Sequence, residues 1–211
     1  MTAFESYAQA HYLRESPALA ALRVYAQQHE YHHKMTSPLQ TQFIQSLCRL
    51  MRATCVIEVG AFVGYTTLAM AEALPADGRV IACERNADWL ALGRPFWVQA
   101  GVSQKIEARM GDASATLEAL LHEGYEHTVD LIYVDADKQR YLDYLSLGLR
   151  LLKPRGVLLF DNTLRVHHGD VTCPNTPTTQ VLDRFNRSLQ QRSDVRSTML
   201  PMYDGLVLVH R

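Results

Sequence analysis

The chain has 211 residues, 47% hydrophobic and 20% charged, with a formal net charge of −1. That composition suits one globular domain with a sizeable core, and it lacks the basic excess that nucleic-acid or anionic-membrane binding requires. No apolar run is long enough to span a membrane, the N-terminal MTAFESYAQAHYLRES has no apolar signal core, and Cys48, Cys55, Cys83 and Cys173 form no C-x-x-C pair. The expectation is a cytoplasmic protein with a small-molecule partner, no nucleic acid and no membrane.

Residues 16 to 33 read as an amphipathic helix with Pro17 in its first turn and Leu19, Leu22, Val24 and Tyr25 as apolar positions. His32 and His33 are adjacent, so on a helix they point about 100° apart and cannot converge on one ion without other partners. Ser37-Pro38 starts a second helix to about Arg52, with Phe43, Ile44, Leu47, Leu50 and Met51 predicted on its inner face. The first strand, Cys55 to Val59, runs into Gly60-Ala61-Phe62-Val63-Gly64-Tyr65-Thr66 and a helix from Thr67 to Leu74. A strand, a glycine turn and a helix N-terminus let a cofactor approach free backbone N–H groups. Phe62 and Tyr65 stand where the dinucleotide fingerprint G-x-G-x-x-G needs glycine, which argues against a nucleotide-dependent oxidoreductase. After the Asp77-Gly78 turn, a second strand, Arg79 to Cys83, ends at Glu84, an acid placed to accept both hydroxyls of a ribose.

Ala87 to Ala100 reads as a helix that Gly93 and Pro95 should kink or split. A third strand, Lys105 to Met110, closes on Gly111-Asp112-Ala113, where an acid and a small residue could border an adenine, and a helix follows from Ser114 to His122. The stretch Asp130 to Tyr141, DLIYVDADKQRY, comes next. Its apolar run Leu131 to Val134 looks like a buried parallel strand, and open α/β sheets bind ligands just beyond such strand ends. Tyr141 to Leu152 is helical, Lys153-Pro154-Arg155-Gly156 a turn, and Val157 to Phe160 a fifth strand ending in Asp161-Asn162. A loop from Thr163 to Thr178, a helix from Thr179 to Arg192 and a hairpin of Val195 to Leu200 with Leu206 to Val209 complete the chain, the hairpin adding an antiparallel member.

Asp135, Asp161 and Asn162 are oxygen ligands of the kind hard divalent cations prefer, which favours Mg²⁺, or Ca²⁺ or Mn²⁺, over zinc. Lys138 is the candidate base if burial and the cation lower its pKa. Asp137 has a plainer reading as the cap of the next helix.

Together, EVGAFVGYT, ALPADGRV, VDADKQRY, LLKPRGVLLFDN and PMYDGL resemble the cation-dependent class I O-methyltransferases of the caffeoyl-CoA and catechol type, which use S-adenosylmethionine. The resemblance runs from about Met35 to Arg211. It implies an α/β, Rossmann-like, doubly wound sheet of seven strands, mostly parallel with the last antiparallel and helices on both faces. One domain would cover 1–211, its first 34 residues packing on the core or on a partner in a homodimer. It further implies cofactor contacts from Thr36, Glu58, Gly60, Ala61, Thr66, Glu84, Asp112, Ala113 and Asp135, and metal contacts from Asp135, Asp161 and Asn162. Lys138 and Asp135 would be catalytic, and Asp137 a substrate contact. The implied reaction is methyl transfer to a hydroxyl of a vicinal dihydroxy aromatic. A non-catalytic protein that kept the cofactor pocket is the alternative. The chain departs from many bacterial relatives after the D-N pair, where a tryptophan-glycine stretch is replaced by Leu164-Arg165-Val166-His167-His168-Gly169. Arg165 or the histidines could there meet an anionic acceptor.

Overall fold

The computed structural model describes residues 2–166 and 170–211. Among them, seven strands form one sheet: β1 (Cys55–Val59), β2 (Arg79–Glu84), β3 (Ile106–Met110), β4 (Val129–Val134), β5 (Leu152–Phe160), β6 (Arg196–Leu200) and β7 (Leu206–His210). Their order is β3-β2-β1-β4-β5-β7-β6. β2 with β3 and β4 with β5 pair parallel, while β7 runs antiparallel to both β5 and β6. This is the predicted mostly parallel sheet with one antiparallel strand. The order reverses direction between β1 and β4, the switch point at which open α/β sheets leave a crevice beyond the strand ends. The described residues fall into two compact units, one within Met1–Val56 and Ala61–Gly111, the other within Ile57–Gly60 and Asp112–Arg211. No helix among them is long and apolar enough to cross a membrane.

In the first unit, α1 (Ala3–Tyr12) begins in a capping box between Thr2 and Glu5 and leaves Phe4, Tyr7 and Tyr12 exposed. Ser16 caps α2 (Pro17–Ala26), which ends seven residues before the predicted His33. Beyond Ala26 the polar run QQHE offers nothing to continue the apolar stripe, and the N–H groups of Gln28 and His29 turn back to the Tyr25 and Ala26 carbonyls. The buried positions are Ala18, Leu19, Leu22 and Ala26, whereas Val24 and Tyr25 face outward. His32 and His33 lie in a short 3-10 turn with their rings nearly perpendicular and exposed. α3 (Pro38–Leu50) also turns a different face inward from the one predicted: Gln40, Thr41, Ile44, Gln45 and Cys48 are buried and Leu50 is exposed. The polar members of that face have partners, Gln45 Nε2 donating to the Ala69 carbonyl at 3.0 Å and Thr41 Oγ1 lying 3.4 Å from Thr66 Oγ1. A buried polar group that is hydrogen-bonded costs little, so hydrophobicity alone misplaced the face.

α4 (Tyr65–Ala73) follows the glycine turn, and its first residue joins a half-buried polar cluster. The Tyr65 hydroxyl donates to Glu15 Oε1 at 2.5 Å, and the Arg23 guanidinium meets the same carboxylate at 2.8 Å. α5 (Ala87–Gln99) runs continuously through Gly93 and Pro95 instead of splitting. Gly93 serves close packing here, since a Cβ on it would lie 2.0 Å from the Val63 carbonyl oxygen.

The second unit contains α6 (Ala113–His122), α7 (Tyr141–Leu151) and α8 (Pro177–Gln191) with β4 to β7. Leu131, Ile132, Tyr133 and Val134 are fully buried, as are Leu158, Leu159 and Phe160. Strands buried on both faces explain the uninterrupted apolar runs. β5 begins five residues earlier than predicted: Leu152 already pairs with Val129, and Lys153 to Gly156 form an irregularity before Val157 pairs with Leu131. The predicted turn is therefore inside the strand.

Two outcomes test this packing. Gly93→Ala should lower stability by about 2 kcal/mol, read as a fall in Tm of roughly 4–8 °C. Burial, followed by the hydrogen bond to Glu15, raises the Tyr65 pKa above its ordinary value. Because the folded pKa exceeds the unfolded one, the phenol's contribution is complete at neutral pH and is lost as pH rises beyond about 10. Urea midpoints should fall more steeply from pH 8 to 11 for the wild type than for Tyr65→Phe.

Candidate active site

In the second unit the tips of β1 and β4 touch through their backbones. Asp135 N donates to the Val59 carbonyl at 2.8 Å, and a Cβ on Gly60 would sit 2.2 Å from the Asp135 carbonyl oxygen. Gly60 also has φ +92°, so both space and backbone conformation demand glycine there. Glu58 is buried near the end of β1, at 2% exposure.

Asp135 leaves the tip of β4 with Oδ1 2.7 Å from Lys138 Nζ, both side chains largely buried. At the tip of β5, Asp161 is buried at 4% exposure. Its Oδ2 accepts the Tyr133 hydroxyl at 2.5 Å and its Oδ1 the Asn162 N–H at 2.6 Å. The Tyr141 hydroxyl donates to the Asp161 carbonyl at 2.7 Å and reaches the Val134 carbonyl at 3.4 Å, tying the two strand ends together. Lys138 Nζ also stands 5.3 Å from the centre of the Tyr141 ring. Burial pulls the Lys138 pKa down, but the charges around it, Asp135 before Tyr141 and Asp161, outweigh burial and raise it. That is opposite to the direction expected of a free base. Tyr141 is pushed up as well, by burial first and by the two carboxylates, against the lowering effect of Lys138.

In the first unit, Glu84 ends β2 and is buried. Its Oε2 accepts the Phe62 N–H at 2.8 Å, and Oε1 accepts those of Arg85 at 2.9 Å and Asn86 at 3.0 Å. With Ala61 N bonded to the Cys83 carbonyl at 3.2 Å, the glycine turn is clamped to the end of β2. Three N–H groups leave a carboxylate about one lone-pair site for a ligand. Phe62, at φ +51°, packs its ring against Trp89 and His29. Ala61 and Thr66 are buried beside this turn, and Thr36 is half-buried just before α3.

The remaining predicted residues take simpler places. Asp112 is exposed and caps α6, accepting the Ala115 N–H at 3.0 Å, and Ala113 is the first residue of that helix. Asp137 is exposed and caps the 3-10 turn Lys138–Arg140, accepting the Gln139 N–H at 3.1 Å, which is the plainer of its two readings. Arg165 has φ +53° and a buried Nε with no hydrogen-bond partner among the described residues. His167 and His168 lie outside the described residues. Tyr133 and Tyr141 were not foreseen. Both stand in the DLIYVDADKQRY stretch, and Tyr133 shares a strand face with Asp135 by the period of two, which was the available signal.

Among the described residues no group of three His, Cys, Asp or Glu side chains is placed to hold a metal. The candidate donors are two carboxylates and the Asn162 amide, an all-oxygen set suited in type to a hard divalent cation. Asn162 has φ +54°, and its side chain makes no hydrogen bond among the described residues, which leaves the amide oxygen available.

A sequence profile of the O-methyltransferase family matches residues 8–211. A mouse protein named catechol O-methyltransferase domain-containing protein 1 is 39% identical over 202 residues, which cover 94% of this chain and 76% of that protein. Caffeoyl-CoA O-methyltransferase 1 of Eucalyptus globulus is 35% identical over 208 residues, covering 95% and 84% of the two chains. Among solved structures, the O-methyltransferase TomG from Streptomyces achromogenes, crystallised with S-adenosylmethionine, superposes with a TM-score of 0.87 at 29% identity over 99% of this chain and 96% of that one. An O-methyltransferase from Bacillus cereus, in complex with S-adenosylhomocysteine, gives 0.84 at 27% identity over 100% and 98%. With the profile spanning nearly the whole chain and relatives above 30% identity along its length, this chain belongs to the O-methyltransferase family.

Proposed function

We propose that this O-methyltransferase passes the methyl group of S-adenosylmethionine to one hydroxyl of a vicinal dihydroxy aromatic small molecule, assisted by a divalent cation, Mg²⁺ foremost. The observation that carries the reading is the set of two carboxylates and one lysine gathered at the adjacent tips of β4 and β5. Asp135, Asp161 and Asn162 would hold the cation, whose chemistry is to lower the pKa of a coordinated hydroxyl. The reaction forms a bond from the acceptor oxygen to the methyl carbon as the carbon–sulfur bond breaks. The hydroxyl proton must leave, and the thioether departs neutral. Holding oxygen, methyl and sulfur in line supplies much of the rate of such a displacement.

Lys138 and Asp135 are the pair assigned to that proton. Asp135 holds the lysine charged in the present geometry, so Lys138 could take the hydroxyl proton only after this ion pair loosens, its pKa falls and it has released its own proton to solvent. For the methyl donor, Glu84 in the first unit would accept a ribose hydroxyl on its remaining lone pair, with Thr36, Ala61 and Thr66 nearby. In the second unit Glu58, Gly60 and Asp135 would face the methionine portion, and Asp112 with Ala113 the adenine. Asp137 would meet the acceptor only by leaving its capping bond. The reading carries with it a homodimer and a cytoplasmic location, which sedimentation and cell fractionation check.

3,4-Dihydroxyphenyl compounds should be methylated in the presence of Mg²⁺ and S-adenosylmethionine, with turnover abolished by EDTA and restored by excess Mg²⁺. Turnover indifferent to chelation would remove the metal from the mechanism. Lys138→Ala should lower kcat by about 100-fold or more, with S-adenosylmethionine affinity by calorimetry staying within about threefold. An unchanged kcat would exclude the lysine from proton transfer.

A further inference from the structure

We propose that Arg165 is an anion anchor, and that the dihydroxy aromatic this enzyme takes carries a carboxylate; the proposal rests on the acceptor reading above and narrows it. Arg165 lies three residues beyond Asn162, on the segment that leaves the tip of β5. That segment is held in place by the turn between β6 and β7. Thr163 N donates to the Gly205 carbonyl at 3.0 Å, and the N–H groups of Leu164 and Arg165 share the Asp204 carbonyl at 2.8 and 2.9 Å. From the other side, Asn186 Nδ2 donates to the Thr163 carbonyl at 2.9 Å. The guanidinium therefore hangs from a backbone whose position relative to Asp161 and Asn162 is set.

Three observations ask for a ligand. Arg165 Nε is buried and has no hydrogen-bond partner among the described residues. A buried donor left unpaired costs about 1–3 kcal/mol, and more when it carries charge. Asp161 and Asp135 are engaged elsewhere, with Tyr133 and Lys138. Lastly, Asn162, Arg165 and Tyr203, the last in the turn between β6 and β7, all have φ near +50°, although none is a glycine. Left-handed backbone at such residues costs on the order of 1 kcal/mol each and gathers where a site needs a side chain aimed. A planar guanidinium offers parallel N–H groups from Nε and one Nη, the fork that a carboxylate matches with two oxygens. A neutral catechol would leave that fork unanswered.

The test uses two pairs of probes, 3,4-dihydroxybenzoate against 1,2-dihydroxybenzene for turnover and benzoate against benzamide for binding by calorimetry, with S-adenosylhomocysteine present. Wild-type enzyme should favour the acid of each pair by about 10- to 100-fold, the worth of one charge-assisted pair. Arg165→Met should erase that preference and Arg165→Lys restore part of it. Equal handling of acid and neutral probe by the wild type overturns the proposal, as does a loss in Arg165→Met shared equally by both. If neither dihydroxy compound is methylated, the acceptor reading fails by itself, and the benzoate preference still decides for or against the anchor. The wild-type comparisons need no variant, so a poorly folding substitution does not shield the proposal.

Discussion

Two carboxylates at the ends of neighbouring buried strands are the constraint around which the second unit is arranged. Removing a charged carboxylate from water is expensive unless donors replace the water. Asp161 obtains them from the Tyr133 hydroxyl and the Asn162 N–H, Asp135 from the Lys138 ammonium. Tyr141, wholly buried between them, spends its hydroxyl on the carbonyls of the two strand tips and so keeps the acids side by side. Tyr133 and Tyr141, to which no chemistry is assigned, thus spend their hydroxyls on holding the strand tips, the kind of support that keeps a site's side chains in fixed geometry.

The first unit solves a related problem with Glu84. Its carboxylate collects three backbone N–H groups, two of which belong to the chain turning into α5 and one to Phe62 in the glycine turn. Such a clamp preorganises the turn before any ligand arrives, so less ordering entropy is lost on binding. The same carboxylate was read from sequence as a ribose acceptor. The clamp leaves about one acceptor site, which is room for one ribose hydroxyl and not for the pair that the sequence suggests.

Features governed by short-range periodicity were legible in advance. The strand runs, the Ser37-Pro38 helix start, the D-G hairpin and the placement of Asp135, Glu84 and Asp161-Asn162 at strand ends all follow from local rules. What failed were judgements that depend on partners distant in sequence. The inward face of α3 carries Gln40, Thr41 and Gln45 because Thr66 and the Ala69 carbonyl lie opposite, and nothing within α3 announces them. Gly93 and Pro95 read as a break, yet α5 continues because Gly93 is where the helix closes on Val63.

The amino-acid order alone established the α/β class, the family resemblance and the identities of the residues at the strand ends, since each depends on residue type and spacing within one segment. Only the folded chain decided what state those residues are in. It paired Lys138 with Asp135 and so kept the lysine charged, gave Asp137 to a cap, brought Tyr133 against Asp161, and left the Arg165 Nε buried with no hydrogen-bond partner among the described residues. The physical reason is that charge state and hydrogen-bond satisfaction depend on distance in space, with energies that change steeply over an ångström, whereas sequence spacing records only order along the chain.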